Sequence, residues 1–253
     1  MRLASELNRK MFSTKENVLI GYVIAGYPTE DSCLDIIKRC DDAKLDIFEI
    51  GLPSKNPYND GEVIRKAHNI VSKRDEYGIE YFKKIRSLTS KPIWIMAYYE
   101  DLISTKKHIE YATAGVVDAF VIPNISFEER VELKKNMETY NVDVLGFTNP
   151  SMDDAEMNKN FDSFDIVYEQ LYSGQTGSRN SSDEYSYMLE LSKKKSSLIK
   201  IAGFGINAKE KSLKLINEGY DGIIIGTEMV RKLNVSVDTM VDFIDEVGDH
   251  IKK

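Results

Sequence analysis

Two acids, Glu49 and Asp60, stand at the ends of one short stretch, EIGLPSKNPYNDG, residues 49–61. Glu49 has Ile47, Phe48 and Ile50 around it, a setting in which an unpaired ionised carboxylate is costly. Burial of that kind raises a carboxyl's pKa, which suits a group that both gives and takes a proton. A glutamate buried for structure, paired with a lysine or a hydroxyl, has the same signature. Asp60 precedes a glycine, and Asp-Gly alone is a common turn signal. Its interest lies in sharing a loop with Glu49.

A second chemistry is written near the C-terminus. AGFGINA (202–208) and IIIGTEMV (223–230) put Gly205, Gly226 and Thr227 just after apolar runs. Glycine lets a backbone N–H approach a phosphate closely, and Thr227 can add a hydroxyl while capping the short helix TEMVRKL. Tight turns without a ligand are the alternative. YSGQTGSRNSS (172–182) reads as a solvent loop or as a lid over a site, with Tyr168 and Thr176 its most useful polar groups. His68 and His108 fall in helical patterns and His250 near the end of the chain. They show no metal-ligand spacing, and all three read as surface residues. No nucleotide P-loop and no nucleophile elbow is present. Lys200 interrupts an apolar run. Pointing inward it can pair with an acid or form a Schiff base; pointing outward, the preferred reading, its stem packs under a helix.

These residues need elements to position them. Apolar runs at 18–26, 47–51, 92–99, 117–124, 142–150, 165–171, 197–205 and 221–227 read as eight strands, with helical patterns between them. Thr29 is a plausible cap for the first of those helices. Continuous apolar runs imply strands buried on both faces, as in parallel sheets. An open doubly wound sheet fits the alternation too, but its Gly-rich dinucleotide fingerprint is missing after the first strand. The expected fold is a (β/α)8 TIM barrel, one domain over residues 1–253. In such a barrel the chemistry sits at the C-terminal strand ends, where Glu49, Asp60 and the two glycine turns fall.

Bulk properties narrow the function classes. A net charge of -7 with scattered lysines disfavours a nucleic-acid or membrane surface. No apolar run reaches spanning length, and the first residues lack the apolar core of a signal peptide, so a cytoplasmic protein is expected. Cys33 and Cys40 lie seven apart in one helical pattern and read as buried thiols.

The blocks YVIAGYPT (22–29), DIFEIGLPSKNPYNDG (46–61), IMAYYE (95–100), YEQLYSGQTG (168–177), AGFGI (202–206) and DGIIIGTEMV (221–230) together resemble the tryptophan synthase alpha subunit family, in order along essentially the whole chain. The resemblance implies a lyase that cleaves indole-3-glycerol phosphate to indole and glyceraldehyde 3-phosphate by a retro-aldol reaction, with no metal or organic cofactor. It implies that Glu49 is the acid/base and that Asp60 stabilises charge at the indole nitrogen. Thr176 would orient that aspartate, and Tyr168 would be an active-site tyrosine. Gly177, Gly205, Gly226 and Thr227 would hold the phosphate, and Tyr98 and Phe204 would belong to the substrate pocket. A beta subunit is the implied partner.

The sequence departs from the family's pattern in places. Ser54, Lys55, Asn56, Asn59 and Glu62 replace usual residues in the loop that in the family faces the beta subunit. Tyr22 stands where a pocket phenylalanine is usual, adding a hydroxyl that needs a partner if buried. Two alternatives follow: an alpha-like barrel acting on another phosphorylated substrate, or a non-catalytic homologue that binds a partner.

Overall fold

Short apolar runs, several of them preceded by an aspartate, fold as parallel strands in the computed structural model, which describes residues 2–73, 78–172 and 185–252. The strands among the described residues are β1 (Val18–Ile24), β2 (Ile47–Gly51), β3 (Ile93–Met96), β4 (Ala119–Val121), β5 (Asp143–Val144), β6 (Gly146–Thr148), β7 (Ile166–Gln170), β8 (Ile199–Gly203) and β9 (Gly222–Ile225). All paired neighbours run parallel, in the order β5-β4-β3-β2-β1-β9-β8-β7-β6. Only Leu145 separates β5 from β6, so the two ends of that order are one strand and the sheet closes on itself. This is the (β/α)8 barrel. The single strand expected at 142–150 is divided because β5 pairs with β4 while β6 pairs with β7.

Side chains alternate between the two faces of a strand, so each strand feeds two cores. Ile20, Ile47, Trp94, Leu145, Ile166, Ile201 and Ile224 fill the barrel interior. The residues between them, such as Leu19, Phe48, Ile95, Phe120 and Val167, pack outward under the helices. Helix Glu30–Asp42 starts at Thr29, whose side chain accepts from the Ser32 N–H, as expected for that cap. Cys33 and Cys40 are buried on this helix as free thiols. Among the described residues no helix is long and apolar enough to cross a membrane.

The N-terminal end of the barrel is held by carboxylates that precede or open strands. Asp46 accepts from the Leu19 N–H and pairs with Lys15 and Lys252. Asp118 accepts from the Ile93 N–H and pairs with Arg86. Helix Glu6–Thr14, which sequence patterning did not reveal, covers this end. Its fully buried Asn8 accepts from Trp94 Nε1 at 2.9 Å and donates to Asp143 at 2.8 Å. The helix on the floor of the barrel is thereby tied to β3 and β5 through one amide, and the opposite end is left for chemistry. Replacing Asn8 by leucine strands the Trp94 N–H and a carboxylate oxygen; a loss of about 2–3 kcal/mol is expected in urea unfolding. A change below about 0.5 kcal/mol would show that the amide does not tie the floor.

Candidate active site

At the C-terminal end of the strands the interior opens into a cavity of about 380 Å³, within the range of small-molecule sites. Two glycines make the room. A Cβ on Gly51 would lie 2.2 Å from the Tyr22 hydroxyl, and one on Gly203 would lie 2.2 Å from the Tyr168 ring. Each tyrosine therefore leans over a bare position on the neighbouring strand. Tyr168 is also stacked on Phe147 at 5.3 Å and meets the edge of Phe204 at 6.0 Å. These three rings form one apolar wall.

Glu49 lies beside Tyr22 in the strand register and faces the same cavity. It is 3% exposed, and its Oε1 has no hydrogen-bond partner among the described residues. Burial, with the nearby Asp60 charge as a second cause, pushes the Glu49 carboxyl up to about 8. Asp60 is as buried as Glu49 but differently served. Tyr98 donates to its Oδ2 at 2.8 Å, and the same hydroxyl accepts from the Asn59 N–H at 3.2 Å. One carboxyl is bare; the other is held.

Of the residues singled out by sequence, Tyr22, Glu49, Asp60, Tyr168, Phe204, Gly205, Gly226 and Thr227 line the cavity together. Tyr98 is not among the lining residues and sits behind Asp60 as its donor. Thr176 and Gly177 lie outside the described residues. The glycine turns differ in construction. Phe204 and Gly205 both have positive φ, 74° and 69°, so the chain after β8 turns through two left-handed residues. Helix Thr227–Leu233 begins at Thr227 itself with Gly226 at its N-cap and no side-chain cap bond, so Thr227 does not cap it.

The surface reading of His68 is overturned, and the outward reading of Lys200 is the one the structure shows. His68 is a core residue, 1% exposed, and not a surface one. It shares the buried stripe Ile64, Ala67, His68, Val71 of helix Glu62–Val71, a helical spacing that was legible in the sequence. Lys200 does not point inward, which removes the Schiff-base option. Its neighbours Ile199 and Ile201 face the interior, while its Nζ pairs with Asp221 at 2.7 Å on the outer side. Sequence reasoning passed over Asn149, Gln170 and Arg231, and named Asn59 only as a loop substitution; all four line the cavity. Gln170 was within reach, since it lies two residues after Tyr168 on the same face of β7.

The tryptophan synthase alpha chain family model matches residues 9–249. Among curated relatives, the tryptophan synthase alpha chain of Caldicellulosiruptor saccharolyticus is 33% identical over 249 residues, covering 92% of each chain. That of Methanosarcina acetivorans is 30% identical over 231 residues, covering 90% of this chain and 85% of the relative. Among solved structures, the tryptophan synthase subunit alpha from Campylobacter jejuni superposes with a TM-score of 0.80 at 26% identity, over 94% of this chain and 98% of that one. A Mycobacterium tuberculosis tryptophan synthase chain reaches a TM-score of 0.87 at 20% identity, over 98% of this chain and 99% of that one, a likeness of fold.

The raised Glu49 carboxyl makes a stability prediction with a definite sign. The folded protein holds this proton more tightly than the unfolded chain, whose glutamates titrate near ~4.3. The contribution is therefore intact below about pH 4.3 and is lost as pH rises toward about 8. Glu49→Gln should match wild type near pH 5 and melt at a higher temperature near pH 8.5. Parallel melting curves at both pH values would show that Glu49 ionises freely in the folded protein.

Proposed function

The chain belongs to the tryptophan synthase alpha chain family, and we propose that it is a lyase cleaving indole-3-glycerol phosphate to indole and glyceraldehyde 3-phosphate. The observation that carries this reading is the bare, buried Glu49 carboxyl facing a cavity in which a second buried acid, Asp60, is fixed by a donor. A carboxyl pushed up to about 8 keeps its proton at neutral pH and can deliver it.

The chemistry asks for two proton movements. The ring carbon that bears the side chain must gain a proton, and the adjacent side-chain hydroxyl must lose one. The carbon–carbon bond then breaks, its electron pair returning to the ring as the hydroxyl carbon becomes an aldehyde. Glu49 serves as the acid in the first movement and, once ionised, as the base in the second. Asp60 accepts from the ring N–H and stabilises the positive charge that the protonated ring carries. Tyr98 holds Asp60 in place for that role. Phe147, Tyr168 and Phe204 offer the flat apolar surface that an aromatic ring needs.

The phosphate is assigned to the turns after β8 and β9. Gly205, Gly226 and Thr227 would supply backbone N–H groups there, and Gly177, outside the described residues, is assigned to the same phosphate by the family resemblance. A phosphate held at a distance from the breaking bond contributes orientation more than chemistry. The family also suggests a beta-type partner subunit. Lys55, Asn56 and Tyr58 are exposed in the loop between Glu49 and Asp60, where such a partner would be felt.

Purified protein should release indole from indole-3-glycerol phosphate. Glu49→Gln should lower kcat by about 10²–10⁴ with the melting behaviour of a folded protein. The rate should fall as pH rises above about 8, since the acid form of Glu49 is lost there. Absence of indole release, alone and with a beta subunit added, would refute the assignment.

A further inference from the structure

Tyr22, which lines the cavity, and His68, which does not, form a buried polar pair. The backbone N–H of Ser54 donates to His68 Nδ1 at 3.1 Å, so that nitrogen carries no proton. Burial also pushes the imidazole down to about 4, leaving the ring neutral at physiological pH. A neutral ring with a bare Nδ1 carries its single proton on Nε2. Nε2 lies 3.2 Å from the Tyr22 hydroxyl oxygen, which therefore accepts from it.

The consequence concerns the tyrosine's own proton. Its oxygen has taken the His68 N–H as donor, so its O–H must find another acceptor. Among the described residues no second hydrogen bond of this hydroxyl is formed. Tyr22 is 5% exposed and lines the cavity. It is thus a buried donor with an open direction, and such a donor is costly to leave unsatisfied. Glu49, Asp60, Tyr98, Tyr168 and His68 are the titratable groups around it, and Asp60 weighs on it more than Glu49 does. The hydroxyl also sits against Gly51, one inward-facing position above Glu49 on β2, on the side of the cavity where Asp60 lies.

We propose that the Tyr22 hydroxyl, oriented by His68, is a substrate-recognising donor that works beside Asp60 to select a bicyclic ring carrying a hydrogen-bond acceptor next to its N–H. The inference goes beyond the lyase reading, since the ring it favours is not plain indole, and rests on that reading in one respect, that Asp60 faces the ring N–H. Asp60 accepts and Tyr22 donates, so together they match an edge with one donor and one adjacent acceptor. Plain indole offers the donor but only a C–H beside it. Met96, Val121 and Phe147 elsewhere in the cavity supply the apolar contact that either ring would share.

Binding of indole and of 7-azaindole, the same bicycle with a ring nitrogen beside the N–H, tests this by calorimetry on the intact protein. Wild type should bind 7-azaindole about tenfold more tightly than indole, and Tyr22→Phe should abolish that preference. Nitrogen NMR of His68 should show the proton on Nε2 at neutral pH. Equal affinities in wild type, binding of neither ring, a preference surviving Tyr22→Phe, or a proton on Nδ1 would each overturn the proposal. If Tyr22→Phe does not fold, the wild-type preference and the His68 tautomer decide. Cleavage is not read in this experiment, so a chain that prefers 7-azaindole but releases no indole would refute only the lyase assignment.

Discussion

A carboxyl group held inside an apolar barrel without a hydrogen-bond donor on one of its oxygens is the constraint to which the rest of the site answers. Water would solvate Glu49 and return it to an ordinary acid, so the cavity must be deep and its walls must be ring faces. Tyr168, Phe147 and Phe204 provide those faces by stacking and edge contacts. Strand parity puts Glu49 there. It follows Ile47 on the inward face of β2, one pleat nearer the open end, and a shift of one residue would send it under the helices.

The two ends of the barrel divide labour by the company their carboxylates keep. Asp46, Asp118 and Asp143 at the closed end each accept from backbone N–H groups and from side-chain donors. Charge there is fully engaged, and its effect is to join strands and the N-terminal helix. At the open end the pattern is broken on purpose of chemistry: Asp60 receives the Tyr98 hydroxyl while Glu49 Oε1 receives nothing. Environment alone separates two like groups into a proton carrier and a fixed charge, which is how carboxyl pairs acquire different tasks.

Much of this architecture was legible in the sequence because strand and helix periods are local. Eight apolar runs marked the barrel, and the runs containing Glu49, Tyr168 and Gly205 marked its open end. The division of the fifth strand at Leu145 was not legible, since it depends on which neighbours the two halves pair with. Helix Glu6–Thr14 was missed because its buried face centres on a polar residue, Asn8, whose partners Trp94 and Asp143 are distant in the chain. Lys200 could be weighed but not oriented from its own segment, because Asp221 fixes it from the next strand. His68 was misread for a different reason. Its helical stripe was visible, but a histidine on an apolar stripe is satisfied only by groups the sequence does not place, here the Ser54 N–H and Tyr22.

That satisfaction bears on Asp60. Had His68 taken a second proton, an imidazolium would stand 3.9 Å from the Asp60 carboxylate and compete with any ring N–H for its charge. The Ser54 N–H prevents this by occupying Nδ1 as a donor, because a protonated Nδ1 would meet donor against donor. Burial, with this one backbone amide in the loop between the two acids, keeps the histidine neutral and leaves the Asp60 charge to the cavity, and the amide fixes the tautomer that makes the Tyr22 hydroxyl a donor. Position 54 enters this chain through its backbone N–H alone, whereas Tyr22 enters it through its side-chain hydroxyl. The Tyr22 hydroxyl is therefore the group through which this chain bears on the edge of a bound ring.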